Sequence, residues 1–160
     1  MTREIDLDNL RGNTSFLLPR TNRRLSRLYD RMLDPVGLTT NQFGLLANLA
    51  GMSAVGLDAP RIGVFAERVG VDPTTLHRNL KLLVAARLVA LKVGPTDKRV
   101  RTVHITDAGR ARLVEALPCW RKAQALLDQT MGLEARLSLN ALLEFADERL
   151  KACVKVPAAD

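Results

Sequence analysis

Apolar residues recur three and four apart along most of this chain, the spacing of helices with one buried face. Residues 15–34 place Leu18, Leu25, Leu28, Met32 and Leu33 on such a face, with Arg20, Arg23, Arg24, Arg27 and Arg31 between them. Pro19 suits a first turn better than a helix interior, so this helix is expected to begin or bend there. Pro35 and Gly37 end it. A second helix opens at Thr39, three residues before Gln42, the spacing of a capping box, and runs to Gly51. MSAVGLDAP (52–60) has the composition of a loop, and Val64–Gly70 that of a short helix stopped by its glycine.

The next helix announces itself most clearly. Asp72 is a good N-cap and Pro73 a good first residue. At 100° per residue Leu76, Leu80 and Leu83 share one face. Thr74, Arg78, Lys81 and Ala85 lie opposite, flanked by Thr75 and His77. Two short helices joined at Gly70-Val71, the second with a polar and basic outer face, predict a helix-turn-helix. Period two then takes over. Leu88–Val93 and Val100–Ile105 read as strands around GPTDKR, which is turn chemistry, so a β-hairpin follows. Thr106 can cap a long helix that has Asp107 in its first turn and Leu113, Leu117, Trp120, Leu127 and Met131 along a seam. Pro118 should kink or break it. Gly132 ends it, and a last helix spans about 133–154. The expected fold is mainly α with a small β-hairpin wing: a winged helix-turn-helix between helical ends. Three regions are expected, 1–35, 36–112 and 113–160, of which the first and last can supply the seam of a homodimer.

Charge sharpens this picture. The net charge is +7, and residues 61–112 alone, with eleven basic and four acidic groups, account for that excess. A basic segment between near-neutral ones is the footprint of a polyanion binder. In a major groove, Thr74 and Thr75 can meet bases or phosphates, Arg78 can pair bidentately with guanine, and Lys81 falls at phosphate depth. His77 suits either a nucleic-acid contact or ordinary surface packing. On the wing, Lys98, Arg99 and Arg101 are basic, and Arg99 suits a minor groove. Asp97 can orient Arg99 through a charge-assisted hydrogen bond.

The remaining chemistry is sparse. A chain of 160 residues, 47% of them hydrophobic, has enough to bury a core. Cys119 and Cys153 lack metal-ligand spacing and form no disulfide framework. The only histidines are His77 and His104, and no phosphate loop, nucleophile elbow or paired-carboxylate site appears. No enzyme, cofactor or metal is expected. The start lacks a signal core and no apolar run is long enough for a membrane span, so a cytoplasmic location without membrane contact is expected.

The order of helix, AERVGVDPTTLHRNLKLLVAARLV, a hairpin with DKR and then ITDAGRARL resembles the MarR-type winged-helix regulators over about residues 15–150. Asp97 and Arg99 of the wing, and Ile105, Thr106 and Gly109 at the entry to the next helix, stand where that family has them. The resemblance implies a homodimer built from the terminal helices, a palindromic double-stranded DNA operator, and a repressor released by a small, often aromatic effector. The effector would bind between the dimerisation helices and the winged region, where Phe43, Cys119 and Trp120 are candidate walls. Trp120 fits core or dimer seam as well, and Cys119 a buried structural thiol or an oxidant sensor. One branch of the family senses peroxide through a cysteine in its first helix; here Asn13, Thr14 and Ser15 precede Phe16. The competing reading is an architectural or protein-interaction winged helix without ligand control.

Overall fold

The computed structural model describes residues 12–57, 59–93 and 100–154. Helix α1 (Thr14–Leu33) leads through a short 3-10 turn (Asp34–Val36) to α2 (Thr40–Ala54). Then come α3 (Ile62–Val69), α4 (Pro73–Ala85), strands β1 (Val89–Val93) and β2 (Arg101–Ile105), α5 (Asp107–Met131) and α6 (Leu133–Val154). The described residues form two compact units, one ending at Trp120 and the other starting at Arg121, and α5 runs through the boundary.

Two prolines are tolerated where a break was expected. Helix α1 starts at Thr14 under an Asn13 cap, whose side chain accepts the Ser15 N–H, and continues through Pro19. Helix α5 continues through Pro118. Each proline removes one N–H and frees the carbonyl four residues earlier, on Ser15 and on Val114. Both of those residues are exposed, so water can take up the freed acceptor. A third difference concerns 52–60: α2 extends to Ala54 and turns off only at Val55-Gly56, since Met52 is buried and holds the last turn down. Helix α3 likewise begins two residues early, at Ile62.

Helix α2 starts as its sequence promises. Thr39 accepts from the Gln42 N–H and Gln42 accepts from the Thr39 N–H at 3.0 Å, completing the capping box. Asp30 of α1 reinforces that end, its Oδ1 accepting from Thr40 N at 2.6 Å and Thr40 Oγ1 at 2.7 Å. The core of the first unit lies where α2, α3, α4 and the wing meet. Leu33, Leu46, Phe65, Leu76, Leu80, Leu83, Val89 and Val103 are its largest fully buried side chains.

The wing is an antiparallel pair in the register Val89↔Ile105 to Val93↔Arg101. Strand β2 is tied on its free edge to the segment before α3. Val103 N donates to Pro60 O at 3.0 Å, and a single bridge joins Arg61 to Thr102. At the other side Thr106 caps α5: its hydroxyl accepts from Gly109 N at 3.0 Å and donates to Arg87 O at 2.7 Å. Arg87 itself takes a left-handed φ of 61° to turn the chain from α4 into β1. In the second unit Arg136 pairs with Asp128, and Lys151 bridges Asp147 and Glu148 at 2.7 and 2.9 Å.

Candidate nucleic-acid interface

The turn between α3 and α4 follows from four residues. Gly70 takes φ 63°, a left-handed conformation that closes α3 at little steric cost. Asp72 then caps α4, its Oδ1 accepting from Thr75 N at 2.9 Å, and Pro73 occupies the first helical position. Hydrogen bonds from Thr75, hydroxyl first and N–H second, hold the Asp72 carboxyl below its ordinary value of 3.8. The cap therefore stays ionised, and a carboxylate at a helix N-terminus is favoured by the dipole. Leu76, Leu80 and Leu83 anchor the inner face. Asn79 is buried too, and its Nδ2 satisfies the Thr75 carbonyl at 2.9 Å.

This anchoring leaves the opposite face to solvent. Thr74, His77, Arg78 and Lys81 are all exposed, in the positions the periodicity assigns. Thr75 is half-buried and serves Asp72, so it builds the helix start. Arg101 is exposed at the first position of β2. Among the described residues no ion pair engages Arg78, Lys81 or Arg101. Asp97, Lys98 and Arg99 lie outside the described residues.

An open groove of about 760 Å³ runs between α3, the turn, the start of α4 and the wing strand. Its walls include Arg61, Ala66, Val71, Pro73, His77 and Arg101. The fold thus brings His77 and Arg101 to one feature and adds Arg61. Arg61 precedes α3 in a loop, where no periodicity points to it; its only sequence signal was membership of the basic segment. The groove joins a helix with an acid-free outer face to a wing that carries a cation at the turn end of its ladder. That combination can hold a helix in a major groove while its flanking cations meet phosphate.

Phe43 and Trp120 come together elsewhere in the first unit. The Phe43 and Trp120 rings stack with centroids 6.2 Å apart and 16° between planes. Phe43 belongs to the core, while Cys119 and Trp120 are half-buried against it. Neither the groove nor a smaller polar cavity beside Ser53, His104 and Arg110 includes them. Among the described residues no cluster of His, Cys, Asp and Glu can hold a metal ion. Nor is any described helix long and apolar enough to cross a membrane.

The sequence model of the MarR family matches residues 36–100, the span from the end of the 3-10 turn to the start of β2. None of the curated proteins matches the chain. Among solved structures, the transcriptional regulator MosR of M. tuberculosis, crystallised with DNA, is 32% identical. That match covers 86% of this chain and 98% of MosR, with a TM-score of 0.69. A mutant MarR from E. coli, complexed with operator DNA, shares the fold at 23% identity and a TM-score of 0.73, over 88% of this chain and 98% of its own. BpsR of Bordetella bronchiseptica does so at 22% and 0.72, over 85% and 94%. With the winged helix-turn-helix in place and a third of its residues shared with MosR along nearly the whole of that regulator, the chain belongs to the MarR family of DNA-binding transcriptional regulators.

Proposed function

We propose that this regulator is a homodimeric repressor that grips a palindromic operator and lets go when a small aromatic acid binds. The observation that carries the DNA half of this reading is the outer face of α4, where Thr74, His77, Arg78 and Lys81 are exposed with no acid among them. We assign Arg78 to a guanine edge, Thr74 to a base or phosphate, and Lys81 to phosphate. Arg61 and Arg101, both on the walls of the groove, join the phosphate contacts. On the wing we assign Lys98 and Arg99 to DNA, Arg99 to the minor groove, with Asp97 as its orienting acid.

A dimer is supported by apolar side chains that a single chain leaves open. On α6, Leu142, Phe145 and Leu150 are each more than half exposed. At the start of α1, Phe16 is 61% exposed. Large apolar side chains left to solvent on each of these helices favour burial against a partner. For the effector, the Phe43–Trp120 stack offers aromatic surface with Cys119 beside it. A relative of the same fold, BpsR, has its DNA binding regulated by 6-hydroxynicotinic acid, an aromatic acid. The place of action is the cytoplasm, where the operator is.

Footprinting of the purified protein on the DNA upstream of its own gene tests the reading. One protected palindrome with half-sites about 34–36 Å apart is expected, because two dyad-related helices must enter successive major grooves on one side. Protection indifferent to sequence would return the chain to the architectural class.

A further inference from the structure

The outer face of α1 carries a charge pattern that the winged unit does not use. At 100° per residue Arg20, Arg24, Arg27 and Arg31 fall within about 60° of one another, with Arg23 some 40° further round. All five are exposed. No acid occurs between Thr14 and Tyr29. Asp30, the flanking acid, is turned to α2, where it takes both the N–H and the hydroxyl of Thr40. Among the described residues no ion pair engages any of the five arginines. Like charges three and four apart oppose the helix that carries them. A partner that neutralises them relieves that repulsion.

The dimensions point to one kind of partner. From Arg20 to Arg31 the row covers about 16 Å of axis at 1.5 Å per residue. Over that length one strand of B-DNA presents about five phosphates, one per 3.4 Å. The row therefore offers close to one guanidinium per phosphate, and the guanidinium fork suits phosphate oxygens bidentately. We propose that the arginine face of α1 is a second nucleic-acid contact, which takes duplex phosphates outside the base pairs read by α4 and the wing. This rests on the DNA-binding reading above and adds to it a longer, sequence-independent footprint. An acidic protein surface, such as that of a second copy, is the rival occupant.

The test is the salt dependence of operator affinity, measured by fluorescence anisotropy on two duplexes. One is trimmed to the base pairs read by α4 and the wing; the other extends several helical turns past each end. The combined variant Arg20→Gln, Arg24→Gln, Arg27→Gln keeps good helix formers at exposed positions, and circular dichroism checks its fold. On the longer duplex its log–log salt slope should be shallower than that of the natural protein by about 2–3, at roughly 0.9 per phosphate lost. On the trimmed duplex the two should agree. The corresponding triple lysine variant should keep most of the slope, since charge rather than shape sets it. Preference for operator over random DNA should persist in both. An unchanged slope on the longer duplex overturns the proposal, as does a glutamine variant that lowers the mass seen by light scattering, since the arginines would then serve a second copy. Failure of the natural protein to prefer its operator would count against the repressor reading instead, and the slope comparison would still decide the arginine face.

Discussion

Gly109 shows how closely one residue position can be prescribed. A Cβ there would sit 2.1 Å from the Leu88 carbonyl oxygen and 2.9 Å from Ile105 Cγ1. Backbone cannot yield as a side-chain tip can, so Gly109→Ala must push α5 away from the Leu88 backbone that leads into β1. Overpacking of this kind costs typically 1–3 kcal/mol. A fall of that order in urea-unfolding stability is expected for Gly109→Ala. The glycine that marks the family pattern is thus a close-approach position, and its partner Thr106 holds the same corner by its hydroxyl. At the DNA face the residues divide by chemistry. Arg78→Ala should cost about 1–3 kcal/mol of operator affinity and relax preference at one base pair. Lys81→Ala should weaken specific and random DNA alike and flatten the salt slope by about one unit. Titrations on operator and scrambled duplexes separate these outcomes; two mutants with the same profile would refute the assignment of roles.

Elements, more than single residues, decide how well the recognition face is presented. Helix α4 depends on Asp72, whose carboxyl is held below its ordinary value by Thr75. A carboxyl with a depressed folded pKa contributes stability above its unfolded value of 3.8, and that contribution fades as pH falls from there through the folded pKa. Asp72→Asn can still cap but cannot titrate. The melting-temperature gap between the natural protein and Asp72→Asn should therefore stay constant from neutral pH to about 5 and narrow below about 4. A gap that ignores acid would mean the cap is not coupled to folding. This helix was also the most legible element, because cap, proline and leucine face agree in one register. The prolines were less legible. Pro19 and Pro118 are helix breakers by local rule, yet exposed carbonyls at Ser15 and Val114 make them tolerable. Arg61 was missed because a loop has no period, and its place in the groove depends on the pairing of Arg61 with Thr102. Thr75 is legible by spacing as a DNA contact, whereas its half-burial and its bonds to Asp72 emerge only from the geometry of the cap.

For the whole molecule, the proposed effector control requires that a ligand at one place change DNA affinity at another. A ligand can shift an equilibrium only by its differential affinity for the two states. A small aromatic acid beside the Phe43–Trp120 stack must therefore prefer a dimer whose two α4 helices are wrongly spaced for successive major grooves. That stack sits within the first unit, with Phe43 on α2 and Trp120 on α5. Helix α2 also packs on α4, so a displacement of the aromatic pair has a short, packed route to the recognition helix. Linkage then sets a quantitative demand. If the acid weakens operator binding by some factor, typically 5–150, operator must weaken the acid by the same factor. Trp120, the only tryptophan, gives the signal. Aromatic carboxylates titrated against its fluorescence should quench it saturably, and the apparent Kd should rise when operator is present. Random DNA at matched charge should move that Kd far less. Trp120→Phe keeps an aromatic wall and should retain regulation, whereas Trp120→Ala should lose it with operator affinity preserved. Quenching that is indifferent to operator would mean a bound ligand without control.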